Sequence, residues 1–295
     1  DYFHEDVRGA VAHALANILV PCAAAEPLPP WVKGGAVDGN LIGVSTRAAL
    51  GEVMPSLLER VEKDEDKDTV AAAAEAIAQV ALLLGPPSVG EVCGKLTQVA
   101  ISLLQVEHPC QQSDDEIEED DDHDEALWEA VTELLTTLPK VLGSRWLQHF
   151  IHVFPALTPY LGSGHPASDR SLAIGIIAES LHQLESVGSA YFNQTFPLAI
   201  TCSKDDDVTC RQNGTFCLGV LGLYSDSSAL HCMQEVPSAL QPRFAPEEDE
   251  SVRDNAVGAL SRLAMAYGAQ LPLQQMLPPI VAALPLKADV GENAP

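Results

Sequence analysis

The sequence is short of positive charge. Lys and Arg total 16 in 295 residues against 42 Asp and Glu, a formal charge of −26. Such a chain is repelled by phosphate backbones and anionic lipid headgroups, which argues against direct nucleic-acid or membrane-surface binding. Aromatics are scarce too, at 5% against 46% hydrophobic, so the core must be built from aliphatic side chains and alanine. No uninterrupted apolar run approaches the roughly 18 residues expected of a membrane span. No Cys-x-x-Cys pair occurs, and the seven cysteines (22, 93, 110, 202, 210, 217 and 232) are scattered. That pattern does not suit a small disulfide-stapled secreted scaffold. It suits reduced thiols packed as small hydrophobes in a cytosolic or nuclear protein. The sequence opens Asp1-Tyr2-Phe3-His4-Glu5, with no Met, basic n-region or signal peptide, and reads as a fragment of something longer.

Ten acidic residues fall in one run: Asp114, Asp115, Glu116, Glu118, Glu119, Asp120, Asp121, Asp122, Asp124 and Glu125. Setting them aside still leaves −16. The body of the protein is itself acidic, and its partners are expected to be basic.

What the sequence does contain is a repeat. An apolar residue, a proline and an apolar cluster recur as Val53-Met54-Pro55-Ser56-Leu57-Leu58, Phe154-Pro155-Ala156-Leu157, Phe196-Pro197-Leu198-Ala199-Ile200, Val236-Pro237-Ser238-Ala239-Leu240 and Leu277-Pro278-Pro279-Ile280-Val281. The last four copies are 42, 40 and 41 residues apart. A second signature, acidic residues followed by Val, then Arg or Asn and a small residue, reads Glu5-Asp6-Val7-Arg8, Asp206-Asp207-Val208 with Arg211 and Asn213, and Glu250-Ser251-Val252-Arg253-Asp254-Asn255. Arg211 to Arg253 and Asn213 to Asn255 are both 42 residues. Two signatures keeping one period mark a repeat architecture.

Each unit predicts two helices. The first is bent by its proline. The second starts at an acidic cap and places Val252, Ala256, Leu260 and Leu263 on one helical stripe. Neither buries its apolar face alone, but stacked pairs do, so the expected fold is all-α, a right-handed superhelical α-solenoid of about six to seven helix pairs. The expected order is a second helix near 5–20, full pairs near 46–85, 90–142, 146–187, 191–224 and 229–268, and a first helix near 272–286. Residues 1–295 then form a single solenoid fragment. Two intervals break the period: a Pro/Gly-rich connection at 21–45 and an acidic loop at 107–125, both expected to be mobile.

Helix pairs of about 40 residues with Phe-Pro-x-Leu first helices and Asp-x-Val-Arg-x-Asn-Ala second helices resemble the HEAT repeats of the importin-beta (karyopherin-beta) nuclear transport receptors. Residues 248–256 and Ala283-Leu284-Pro285-Leu286-Lys287 carry the likeness furthest, toward the carboxyl-terminal half of such a receptor. The resemblance implies a non-enzymatic segment that binds basic cargo, such as histones, their tails or ribosomal proteins, together with a histone chaperone. It implies travel between cytoplasm and nucleus, and places the GTPase Ran on amino-terminal repeats outside this chain. The alternative is a HEAT scaffold holding a multi-subunit assembly, such as a phosphatase or chromatin complex.

No catalytic, cofactor or metal constellation assembles. Gly90-Glu91-Val92-Cys93-Gly94-Lys95-Leu96 is one residue short of a phosphate-binding loop and has Leu96 in place of the hydroxyl. His149 and His152 share a helix face without a completing ligand. His231-Cys232 are neighbours that should not face each other on a helix. The sequons at Asn193 and Asn213 mean little without a secretory signal. The acidic run reads either as a solvated spacer or as a lure for basic cargo.

Trp128 is the sharper candidate. Putting Ala126, Ala130 and Leu134 in the core turns Glu129 and Glu133 outward beside it. Trp128 then either plugs the joint between repeats or, with its glutamates, holds a Lys or Arg through cation–π and charge-assisted contacts. Glu75, Glu179, Asp205, Asp206 and Asp207 would extend this cargo lane along the second helices. For each of them an ordinary solvated helix face is the simpler reading.

Overall fold

A computed structural model describes residues 4–27, 29–112 and 121–289, the side chains of 5, 6 and 121–124 excepted. Among these residues there is no strand. The helices are α1 (Glu5–Ala25), α2 (Val44–Lys63), α3 (Lys67–Leu84), α4 (Pro86–Val89), α5 (Cys93–Leu104), α6 (Asp121–Leu142), α7 (Leu147–Leu157), α8 (Ala167–Leu184), α9 (Phe192–Cys202), α10 (Val208–Tyr224), α11 (Leu230–Met233), α12 (Val236–Leu240), α13 (Glu250–Tyr267) and α14 (Leu273–Ala283). Five complete pairs thus sit between a second helix, α1, and a first helix, α14, as the period predicts.

The local causes are those of the signatures. Pro55, Pro155, Pro197, Pro278 and Pro279 lie inside first helices, and Pro237 opens α12. Three second helices begin on aspartates: Asp66 accepts the Thr69 N–H, Asp207 the Cys210 N–H and Asp249 the Ser251 N–H, each at 2.8 Å. Such caps satisfy amides that the first helical turn leaves unpaired.

The chain divides into two compact units, residues 1–156 and 157–295. In the first, α1, α3 and α6 lie side by side with α3 in the middle. Alanine makes this close: Ala71, Ala72, Ala73, Ala74, Ala76, Ala78 and Ala81 of α3 are all buried. Leu57, Leu96, Leu103, Leu134, Leu138 and Trp146 fill the space behind the row and are fully buried. Arg8 at the start of α1 makes a two-pronged bond to Asp64, both contacts at 3.0 Å.

Helix α1 qualifies an expectation: Val7–Ala25 is long and apolar enough, by composition, to cross a membrane. In the structure it instead buries Ala12, Ala16 and Leu19 and packs on α2 and α3. Its interruptions by Arg8, His13 and Asn17 hid it from a search for unbroken apolar runs.

The connection predicted at 21–45 starts later, because α1 runs through Pro21 to Ala25. The Pro/Gly content suggests a loose link, yet the segment is fastened at three places. The Glu26 carboxylate accepts the N–H groups of Ser45 and Thr46 at the start of α2, which lowers its pKa to about 2. The Trp31 indole donates to the Leu82 carbonyl at 2.9 Å, and the Gly34 N–H to the Val141 carbonyl at 2.9 Å. Gly85, at φ +71°, is what admits Trp31: a Cβ there would meet the ring at 2.3 Å. A cavity of about 560 Å³ lies under this strap, between its prolines and Leu83, Leu84 and Pro86.

The 107–125 interval is similarly divided. His108 is buried with Nε2 3.0 Å from the Val61 carbonyl, and Cys110 is buried in the turn Pro109–Gln111. Residues 121–125 are the start of α6. Asp114, Asp115, Glu116, Glu118, Glu119 and Asp120 lie outside the described residues, as do the side chains of Asp121, Asp122 and Asp124; Glu125 is exposed. An acidic run was expected to swallow both flanks, but burial of His108 and Cys110 anchors one and helix α6 takes the other.

In the second unit α8, α10 and α13 form the row, with α10 in the middle. Here the 42-residue period has a visible cause. Arg170 binds the His165 carbonyl of its own turn and both carboxylate oxygens of Asp205 in the next, each at 2.8 Å. Arg211 binds the Asp205 and Asp206 carbonyls of its own turn and the Glu248 carboxylate of the next at 2.9 Å. Arg253 takes the carbonyls of Ala245, Pro246 and Glu248. Beside it, buried Asp254 accepts the N–H groups of Lys287, Ala288 and Asp289. One step along the helices, Asn213 donates to the Ser171 carbonyl and Asn255 to that of Gln212. The recurrent Arg and Asn are therefore stitches between successive pairs.

Candidate functional site

In the first unit α6 presents the arrangement its pattern predicts. Ala130 and Leu134 are fully buried, Ala126 is half-buried, and Glu129 and Glu133 are exposed one turn apart. Trp128 is half-buried on the adjoining face, its carbonyl accepting the Thr132 hydroxyl at 2.8 Å. The row brings Glu75 of α3 towards Glu133. Partial burial and then the Glu75 charge hold Glu133 above the usual glutamate pKa, while Lys140 pulls the other way. On the far side of Glu75, His13 of α1 stands 3.7 Å from its carboxylate. A carboxylate with a raised pKa favours whatever neutralises it, a proton or an incoming cation.

In the second unit the proposed lane is divided. Asp206 is exposed. Asp205 is engaged by Arg170, whose hydrogen bonds lower its pKa to about 2, and Asp207 caps α10. Both carboxylate oxygens of Asp205 are thus occupied, and one oxygen of Asp207 is taken by its cap. Glu179 is half-buried and accepts the Gln183 amide at 3.1 Å. Aromatic residues not singled out by charge patterning share this row: His182 lies 5.8 Å from the Phe216 ring and 6.0 Å from that of Tyr224. Arg262 stands over Phe216 at 5.2 Å, a cation–π contact within the protein. The helical phase of His182, Phe216 and Arg262 against the buried stripe was the signal available for them.

The other motifs resolve plainly. Gly90–Leu96 is a helix junction with Cys93 and Leu96 fully buried, and burial pushes the Cys93 thiol up to about 12. Burial and the neighbouring His152 lower the pKa of His149. His231 and Cys232 do meet, Nε2 to Sγ at 3.1 Å, contrary to the expectation for neighbours. They sit in α11, a helix of a single turn, where the ideal angular separation of longer helices is not imposed. Burial and Glu235 raise the Cys232 pKa, so the contact makes no activated nucleophile. Among the described residues no group of three or more His, Cys, Asp or Glu side chains can hold a metal.

No family model matches the sequence. It is 32% identical over 303 aligned residues to importin-4 of Homo sapiens, an alignment covering 98% of this chain and 27% of that protein. It is 28% identical over 214 residues to a probable importin subunit beta-4 of Schizosaccharomyces pombe, covering 68% of this chain and 20% of the relative. The chain is homologous to the importins. It spans about a quarter of the length of these importin relatives. Crystal structures of karyopherin Kap121p superpose over 99% of the chain and 26% of theirs. That bound to Pho4p gives a TM-score of 0.78 at 17% identity, and that bound to RanGTP 0.72 at 16%. This likeness shows the HEAT-repeat solenoid fold, now shared by the importin homologue described here.

Proposed function

We propose that this importin segment binds basic protein cargo, such as a histone tail or a ribosomal protein, in a nuclear import receptor moving between cytoplasm and nucleus. The observation that carries the reading is the Glu75–Glu133 pair, flanked by Glu129 and Trp128. Partial burial and then the Glu75 charge on the adjacent second helix make Glu133 costly to ionise, and a bound lysine relieves that cost. Homology to importin-4 and the −26 charge support the same reading. In this reading a histone chaperone accompanies the cargo, and Ran acts on amino-terminal repeats outside this chain. The segment needs no catalytic group or cofactor for this task.

Each exposed ion pair contributes about 0.2–1 kcal/mol, so affinity has to come from several contacts, one or two of them desolvated against the indole. Titration calorimetry of a lysine-rich histone-tail peptide tests this. Trp128→Ala should weaken binding more than any single Glu→Ala, because it removes both cation–π attraction and packing on the lysine stem. Binding should fall steeply with salt as the screening length shortens from about 8 Å at physiological ionic strength to about 3 Å at 1 M. Acetylating the peptide lysines should weaken it, because acetylation removes the charge these contacts need. Salt-insensitive affinity, or unchanged binding by folded Trp128→Ala and Glu129→Ala/Glu133→Ala, would move the cargo site elsewhere and favour a scaffold role.

A further inference from the structure

Arginine is scarce in this protein, and nearly all of it is bound up inside the fold. Eight of the nine arginines bond to a carboxylate, a carbonyl or an amide oxygen of the chain itself. Arg262 of α13 is the exception: among the described residues its guanidinium meets no acceptor and stands over the Phe216 ring of α10, at 5.2 Å. The neighbourhood explains why. Helices α10 and α14 contain no Asp or Glu, and the two acids at the start of α13 are engaged elsewhere. Glu250 binds Lys287 at 3.1 Å, and Asp254 holds the amides of Lys287, Ala288 and Asp289. Asp254 also lies eight residues back, about 12 Å along the helix axis. The chain has 42 acidic residues, yet no described one is paired with this cation.

The guanidinium is nonetheless held in place. A Cβ on Gly219 would come 2.8 Å from the Ala259 Cα and 3.3 Å from Arg262 Nη1. Its absence lets α13 close on α10 and leaves the gap in which the guanidinium lies. Phe216, one turn before Gly219, supplies the face beneath it, and a planar cation resting on a ring keeps its N–H edge for an acceptor. His182 of α8 extends the shelf, 5.8 Å from the Phe216 ring and 6.0 Å from that of Tyr224. All four side chains are half-buried. Met265, one turn beyond Arg262, is 78% exposed, more than any other large apolar side chain described.

We propose that Arg262 receives a carboxylate from a partner protein: a single Asp or Glu within an apolar segment that lies over Phe216 and Met265. A guanidinium offers two parallel N–H donors to one carboxylate, a geometry that lysine does not reproduce. The partner segment is not a run of acids, because the −26 charge repels such a run at long range. One acid amid apolar side chains meets that repulsion least and gains most from an apolar seat beside the cation. This surface is opposite in sign to the Glu75–Glu133 contact of the first unit and independent of it, so either can fail alone.

The test is a peptide titration of the full chain followed by proton–nitrogen correlation NMR. The probe is acetyl-Ala-Leu-Glu-Leu-Ala-amide, set against counterparts with Gln or phosphoserine in place of Glu. The Arg262 Nε–H signal, identified by its loss in Arg262→Gln, should move saturably with the Glu peptide. Affinities are read from the backbone amide shifts of α10 and α13. The Gln peptide should bind roughly tenfold more weakly, the loss of one charge-assisted hydrogen bond. Arg262→Gln should bind the Glu and Gln peptides alike, and Arg262→Lys, which keeps the charge without the fork, should fall between it and the wild type. Phe216→Leu should weaken Glu-peptide binding, whereas Trp128→Ala should leave it unchanged. Thermal melting establishes that each variant is folded. Equal binding of the Glu and Gln peptides to the wild type, an unmoved Arg262 signal, or wild-type affinity in folded Arg262→Gln would overturn the proposal. Binding of the phosphoserine peptide alone would overturn the carboxylate assignment.

Discussion

Glu133 in the first unit and Asp205 in the second carry the same formal charge and meet opposite fates. Glu133 stands across from Glu75 with partial burial, and its pKa is raised. Asp205 sits in a helix–helix turn, gripped by Arg170, and its pKa falls to about 2. One carboxylate is left in want of a cation; the other already has one. Net charge alone therefore overstates the acidic surface on offer, because part of it is consumed in joining successive repeats.

The contrast can be broken most forcefully at the stitched end. Asp205→Ala should cost about 2 kcal/mol, between the worth of an exposed pair and a fully buried one, read as a lower melting temperature and denaturant midpoint. It strands a guanidinium whose side chain is only 18% exposed. Arg170→Ala should cost about as much, and the double variant much less than the sum, since the two share one interaction. Additive losses would mean the pair is incidental.

A smaller effect should appear on acidification. Asp205 has a depressed folded pKa, so its contribution is present in full above its ordinary value near 3.8 and is lost as the pH falls towards about 2. Stability measured from pH 5 to 2 should decline in the wild type and decline less steeply in Asp205→Ala. Glu133 runs the other way. Its folded pKa lies above the unfolded one, so its charge is a cost at neutral pH that is relieved as the pH falls through the folded value.

The smallest effect is the one that most sharpens the comparison. Glu133→Gln should change stability by no more than about 0.5 kcal/mol, in the stabilising direction. Glu75→Gln should bring the Glu133 titration, followed by carboxyl-carbon NMR, back towards the ordinary glutamate range. An unmoved titration would leave burial as the whole cause. A deletion spanning 107–125 separates from all of these: it removes buried His108 and Cys110 and should lower the melting temperature by several degrees.

Much of the architecture could be read from the chain because a repeat states its signal many times. Helix pairing, proline placement and acidic caps each recur, so one blurred copy is corrected by the others. The strap after α1 has no second copy. Its anchoring depends on Trp31 reaching a glycine 54 residues away, a contact that local composition does not encode. For the candidate site, the outward turn of Glu129 and Glu133 followed from helical phase alone. The loss of Asp205 and Asp207 to the fold did not. Yet a clue was present: aspartates two residues apart recur as Asp64/Asp66 and Asp205/Asp207, each first member bound by an arginine and each second member a cap.

The stitches also bear on how the second unit comes into being. Arg170 awaits a carboxylate 35 residues later in the chain, and Arg211 one 37 residues later. At the roughly 5–20 residues per second of ribosomal synthesis, each arginine meets its partner within about 2–7 s of its own emergence. Assembly can therefore proceed pair by pair on the nascent chain, each finished turn offering a seat to the next, with no segment obliged to wait for the far terminus.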